Sequence, residues 1–158
     1  MLTVILFSVC GGTIGWYYSS KLRRRRKYLQ DALAFVNYLY TDIGFRQSGL
    51  ESMTKTFVER CGRDFSQNLT EFIRYISGKD ETLVLSRGLL SESQYNIIYN
   101  MFSTLGIYDL ATQLKVLESS RQNIDEIFDK VKSAESKFSG NLIKLGTLFG
   151  LMVGVLFL

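Results

Sequence analysis

The chain has 158 residues, 46% of them hydrophobic, with two cysteines, no histidine, no proline and a formal net charge of +4. That length allows one modest domain. The missing histidine removes the usual general base, and Cys10 and Cys61 offer no paired spacing for zinc. The charge is also local. Lys21, Arg23, Arg24, Arg25, Arg26 and Lys27 hold six of the 19 basic residues; with these and Lys144 set aside, 12 remain against all 15 acidic ones, so Tyr28–Ile143 carries a net −3. A phosphate-tracking protein spreads Lys and Arg over a face of its folded domain. This distribution points away from nucleic acid.

Residues 1–20 contain no charged side chain, and a helix of that length rises about 30 Å, the thickness of a bilayer's hydrocarbon core. A secretory signal would place its charges before the apolar run and a small-residue cleavage site after it. Here the charges follow, and "WYYSSK" occupies the cleavage position. Residues 1–20 therefore read as an uncleaved transmembrane anchor, 21–27 as its basic cytoplasmic flank, and Trp16, Tyr17 and Tyr18 as an interfacial aromatic belt. Gly11 and Gly15, four apart, form a small-residue groove suited to close helix packing.

Residues 28–141 read as a cytoplasmic helical domain. Leu29, Leu33, Val36, Leu39 and Ile43 recur at steps of three and four, the pattern of an amphipathic helix. Capping-box spacing marks three later starts: Ser48 with Glu51, Asp64 with Gln67, and Ser91 with Gln94. Gly62, Gly78 and Gly106 follow apolar-periodic stretches and are expected to end helices in the left-handed region. The segment Lys79 to Leu90 is either a short helix or a loop. In "LGIYDLATQ", Leu105 and Gly106 close one helix, Asp109 caps the next and Gln113 lies one turn in. The motif is thus a helix corner or a partner surface. From there Leu110, Leu114, Leu117, Ile124, Ile127, Val131, Ala134 and Phe138 keep near-heptad spacing, as in a bundle or coiled coil.

A second apolar run covers Leu145–Leu158, only about 21 Å as a helix, and with its flank makes 142–158 the expected C-terminal transmembrane helix. It crosses a membrane if Leu142 and Ile143 join it and Lys144 snorkels back to the inner surface; the alternative is a buried core helix. Gly146, Gly150 and Gly154 repeat the spacing of four. The two spans are expected to pack antiparallel, with Gly15 level with Gly150 and Gly11 level with Gly154; the rival is that each groove serves another copy or another subunit. The expected fold is all-α, an antiparallel helical bundle between two transmembrane helices. Both termini then lie outside the cell membrane.

No catalytic, cofactor-binding or metal-binding set emerges. The carboxylates are scattered singly, several at helix starts where the macrodipole explains them, and no Walker-type loop is present. Each cysteine reads as a small buried apolar residue.

The segments "GWYYSSKLRRRRKYLQDALAFVNYLYTDIGF", "LGIYDLATQ" and "KFSGNLIKLGTLFGLMVGVLFL" together resemble the stage III sporulation protein AB family of endospore-forming bacteria. Leu39, Asp42 and Ile43 match its L-x-x-acidic-I pattern, and Leu105, Gly106, Asp109 and Gln113 match L-G-x-x-D-x-x-x-Q. One departure is Gly49, where the family often has a proline near this point. The resemblance implies a component of the complex spanning the space between mother cell and forespore. It also implies a mother-cell membrane location, a cytoplasmic domain similar to the platform protein of type II secretion systems, and work with a cytosolic secretion-type ATPase. A non-enzymatic platform, with other sporulation subunits or copies of itself as partners, is the first expectation. A membrane-anchored sensor or regulator that binds a soluble effector is the second.

Overall fold

The structure is a computed structural model describing residues 2–45 and 49–156; within its helices the surroundings of residues 2–8, 43–45, 138–140, 142–143, 146, 150–151, 154 and 156 are outside the description. It is all-α. Among the described residues five helices follow in order: α1 (Leu2–Phe45), α2 (Leu50–Val58), α3 (Arg63–Ile76), α4 (Glu92–Thr104) and α5 (Leu110–Leu156). The contacts divide the chain into two units, Met1–Arg26 with Asp129–Leu158, and Lys27–Phe128. Both boundaries fall inside helices, the first at the end of the basic block.

The unit Lys27–Phe128 is a helical bundle around a phenylalanine cluster. In α1 the buried positions Leu29, Ala32, Phe35, Val36 and Leu39 keep steps of three and four, so one stripe faces inward. Phe35 sits among the others: its ring centroid lies 5.2 Å from that of Phe57 in α2 and 5.9 Å from those of Phe65 in α3 and Phe102 in α4. Phe72 completes the cluster 4.9 Å from Phe102. Burying each such ring stabilises the fold by roughly 1.5–3 kcal/mol, with a further 0.5–1.5 for well-placed aromatic pairs. α5 adds Leu117 and Ile124.

The helix ends follow local chemistry, with two departures from the sequence reading. Ser91 and Gln94 make the expected capping box at α4, where the Ser91 N–H donates to Gln94 Oε1 at 3.2 Å. Gly78 ends α3 at φ 71°. Its N–H bonds to the Tyr75 carbonyl and that of Lys79 to the Arg74 carbonyl, the paired bonds of a Schellman end. The first departure is at α3. The N-cap is Gly62 at φ −69°, ψ 155°, an extended conformation open to any residue, and Asp64 sits inside the first turn instead of capping it. The second is α2, whose N-cap is Gly49 with no side-chain cap bond; the expected cap Ser48 lies outside the described residues.

Residues 79–91 form a loop pinned by side chains. Asn68 of α3 accepts from the Ser86 N–H at 2.8 Å, donates to the Ser86 carbonyl at 3.0 Å and donates to the Tyr28 hydroxyl at 2.6 Å. One amide thus does for the loop what a neighbouring strand would do. Tyr95 donates to the Leu85 carbonyl at 3.3 Å, and Leu83, Leu85 and Leu90 are buried. Burial pushes the Tyr28 phenol up to about 12, against a smaller opposing effect of the Asn68 hydrogen bond.

The unit Met1–Arg26 with Asp129–Leu158 combines the first part of α1 with the last part of α5. Gly15 and Ser19 are buried, Gly11 half-buried. Val9, Ile14, Trp16, Tyr17 and Tyr18 are exposed on α1, as are Leu145, Leu148, Phe149, Met152 and Val155 on α5. Among the described residues this contrasts with the phenylalanine core of Lys27–Phe128: Gly15 and Ser19 lie inside with Val131, and most of the large apolar side chains lie outside. Cys10 is exposed too, contrary to the expectation of a buried thiol, because it stands on this outer surface. Among the described residues no helix is long and apolar enough to cross a membrane.

Candidate functional site

Two places bring sequence-marked residues together. The first is the corner between α4 and α5. α4 ends on Leu105, which is buried, and Gly106 turns the chain at φ 81°. An L side chain there is strained, and a Cβ would stand 3.2 Å from Leu50 Cδ2. Asp109 opens α5: the Thr112 N–H donates to its Oδ2 at 3.4 Å and the Gln113 N–H to its carbonyl at 2.8 Å. Hydrogen bonds from Thr112, side chain first and then backbone, hold the Asp109 carboxyl below its ordinary value. Gln113 then reaches back, and its Oε1 accepts the Gly106 N–H at 3.1 Å.

The four motif residues therefore form one closed turn. Gln113 is buried, and among the described residues its Nε2 finds no acceptor. Such an orphan donor costs about 1–3 kcal/mol, so the amide is held there against its own desolvation. A groove of about 490 Å³ opens beside the corner, lined by Leu50, Glu51, Tyr75, Ile76, Leu105 and Gly106. Ile107, Tyr108 and Leu110 follow with 65%, 48% and 50% of their surface exposed. Leu110 thus departs from the expected buried stripe of α5: the helix begins there, and its neighbours from Gly106 to Ala111 are exposed as well. The stripe proper runs through Gln113, Leu117, Ile124, Val131 and Glu135.

The second place is the basic block. Arg26 Nη1 lies 3.0 Å from Glu135 Oε2, joining α1 to α5, yet that oxygen makes no aligned hydrogen bond. The carboxylate is almost wholly covered while the guanidinium keeps 42% of its side-chain surface exposed. Lys27 Nζ pairs with Asp31 at 2.9 Å, and Arg23 donates to Ser19 Oγ at 3.3 Å. Partial burial lowers the Arg25 pKa. Lys21 and Arg24 are exposed, as is Lys144 on α5. Gly15 is buried and Gly11 half-buried; the surroundings of their expected counterparts Gly146, Gly150 and Gly154 in α5 are outside the description.

Three structural residues escaped the sequence reading. Asp31 is buried and its Oδ2 accepts the Gly62 N–H at 2.9 Å, so a carboxylate from α1 serves the start of α3. Asn68 and Glu135 are the others. A polar residue interrupting an apolar stripe was the available signal, since Asp31 and Glu135 both stand at stripe positions. Cys61 donates weakly to the Val58 carbonyl, and burial, then the nearby Asp31, pushes its thiol up to about 11. Among the described residues no three of Cys, Asp and Glu cluster closely enough to hold a metal ion.

No curated protein and no solved structure matches the chain. The family model of stage III sporulation protein AB matches it over residues 1–158, the whole length. That match takes in both apolar ends, the basic block and the 105–113 corner, and by it the chain belongs to the stage III sporulation protein AB family.

Proposed function

We propose that this sporulation protein is a non-enzymatic membrane platform, anchored by the helix ends 1–20 and 142–158, that holds its helical domain at the cytoplasmic face of the mother-cell membrane. In this reading it is part of a secretion-type channel complex between mother cell and forespore and docks a cytosolic ATPase. The observation that carries the reading is the contrast between the two units. Val9, Ile14, Trp16, Tyr17 and Tyr18 of α1 and Leu145, Leu148, Phe149, Met152 and Val155 of α5 are exposed with few large apolar residues buried beside them, whereas Lys27–Phe128 encloses a phenylalanine core and leaves only Tyr40, Val84, Ile107, Tyr108 and Leu110 as exposed large apolar residues among those described. An outward apolar surface needs an apolar surrounding, and the basic residues directly after the first stretch match the inner flank of a membrane helix.

A platform needs anchoring more than reactive groups, and the long helices α1 and α5 each run through both units. The corner at Gly106–Gln113 with its groove is the surface assigned to a partner.

Topology is the test. In spheroplasts, protease should remove tags from both termini and leave residues 28–141 intact until the membrane is opened. A C-terminal tag protected on the cytoplasmic side would remove the second span.

A further inference from the structure

The exposed face of α1 changes character along its length in the order a lipid does. Ile14, Tyr17, Tyr18, Lys21 and Arg24 follow at steps of three and four, so they share one side of the helix. Ile14, Tyr17 and Tyr18 have 60%, 63% and 55% of their surface exposed, and Lys21 and Arg24 are exposed as well. The tyrosine rings meet edge to face at 6.0 Å. On the other side lie Gly15 and Ser19, both buried, and Arg26, which is paired with Glu135. Arg26 and Lys27 are thus paired with the buried carboxylates of Glu135 and Asp31, while the side chains of Lys21 and Arg24 reach the surface.

We infer that this face binds the headgroup of an anionic phospholipid, with Lys21 and Arg24 at the phosphate, the two tyrosines at the glycerol level and Ile14 along the acyl chain. The inference rests on the membrane-anchor reading above. Charge complementarity selects the lipid. Lys21 and Arg24 lie roughly 6 and 10 Å along the axis beyond Tyr17, at 1.5 Å per residue, and the first acidic residue in the sequence is Asp31, ten positions past Lys21. The positive face therefore continues directly from an aromatic belt, where headgroups stand. A zwitterionic headgroup would bring its own cation against the same two side chains.

Each Lys or Arg near an anionic surface contributes about a fivefold preference, so removing two should lower it by about twenty-five-fold. The experiment uses the full-length chain reconstituted with an equimolar mixture of phosphatidylglycerol and phosphatidylcholine. Retained lipid is then counted by mass spectrometry after delipidation in mild detergent. The wild type should retain phosphatidylglycerol preferentially, Lys21→Gln/Arg24→Gln should lose most of that preference, and Lys79→Gln/Lys115→Gln, an equal charge loss in the helical domain, should keep it. Equal retention of the two lipids, or equal loss in both double variants, would overturn the inference. Alkaline extraction of the same vesicles separates the two readings. A chain that stays inserted without lipid preference leaves the anchor standing, while a chain released from every vesicle removes both.

Discussion

Asp31 and Gly62 give the sharpest energetic prediction. Gly62 has backbone angles that any residue adopts, so its conformation does not require glycine. Space does. A Cβ there would stand 3.0 Å from Asp31 Oδ2, the atom that accepts the Gly62 N–H at 2.9 Å, and only 3.8 Å from the Lys27 side chain. Gly62→Ala must push the carboxylate back and lengthen a charge-assisted bond. Such a bond contributes about 1.5–3 kcal/mol, so losing much of it costs about 1–2. Asp31→Ala removes the acceptor altogether and costs about 2 kcal/mol, since the Lys27 ammonium, 57% exposed, returns to water. In the Asp31→Ala background the new Cβ meets only ordinary contacts. Alanine's poorer capping and its smaller unfolded-state freedom then roughly offset one another. The double variant should therefore be about as stable as Asp31→Ala alone, with a coupling energy of about 1–2 kcal/mol. Urea unfolding of the full-length chain in detergent, followed by near-ultraviolet circular dichroism of the tyrosines, measures all four corners of the cycle. Additivity within about 0.5 kcal/mol would refute the reasoning, because it would mean the two sites do not share the bond.

At the helix pair, Arg26→Ala strands a covered carboxylate whereas Glu135→Ala frees a half-exposed guanidinium; the first should cost about 3–5 kcal/mol and the second clearly less, read as loss of protease resistance and unfolding midpoint. Burial raises the Tyr28 phenol to about 12 against about 10 unfolded, so its contribution is complete below pH 10 and is lost as pH rises to 12; the unfolding free energy should fall by up to roughly 2–3 kcal/mol over that window, read from urea midpoints, and Tyr28→Phe should flatten the fall. With Cys10 changed to serine, Cys61 should alkylate with iodoacetamide at pH 8 about a hundredfold more slowly than a free thiol, given a pKa near 11. Gly106→Ala should cost about 1–2 kcal/mol for its left-handed backbone, with extra loss if Leu50 cannot yield, checked by thermal unfolding.

Local chemistry explains which features were legible in the sequence. The Ser91–Gln94 box, the left-handed Gly78 and Gly106, and the Asp109 and Gln113 positions all depend on residues within one or two turns, and periodicity marked the α1 and α5 stripes. Gly62 was misread because its reason for being glycine is a carboxylate 31 positions earlier. Cys10 was misread because an apolar neighbourhood in sequence was equated with a covered one, whereas that part of α1 turns its large side chains outward. The loop at 79–91 stayed ambiguous for a similar reason: its order comes from the Asn68 amide and from Tyr95, neither adjacent to it in sequence. Long-range polar ties leave no period to read.

The platform reading stands or falls on what the protein holds. The tagged full-length chain should be isolated in mild detergent from membranes of sporulating cells, with Ile107→Asp/Tyr108→Asp as the companion variant at the exposed corner. The account predicts that a hexameric secretion-type ATPase copurifies with the wild type and is lost from the variant while the variant's melting is unchanged. A chain that elutes without any ATPase, with its helical domain instead retaining a specific small ligand, would contradict it.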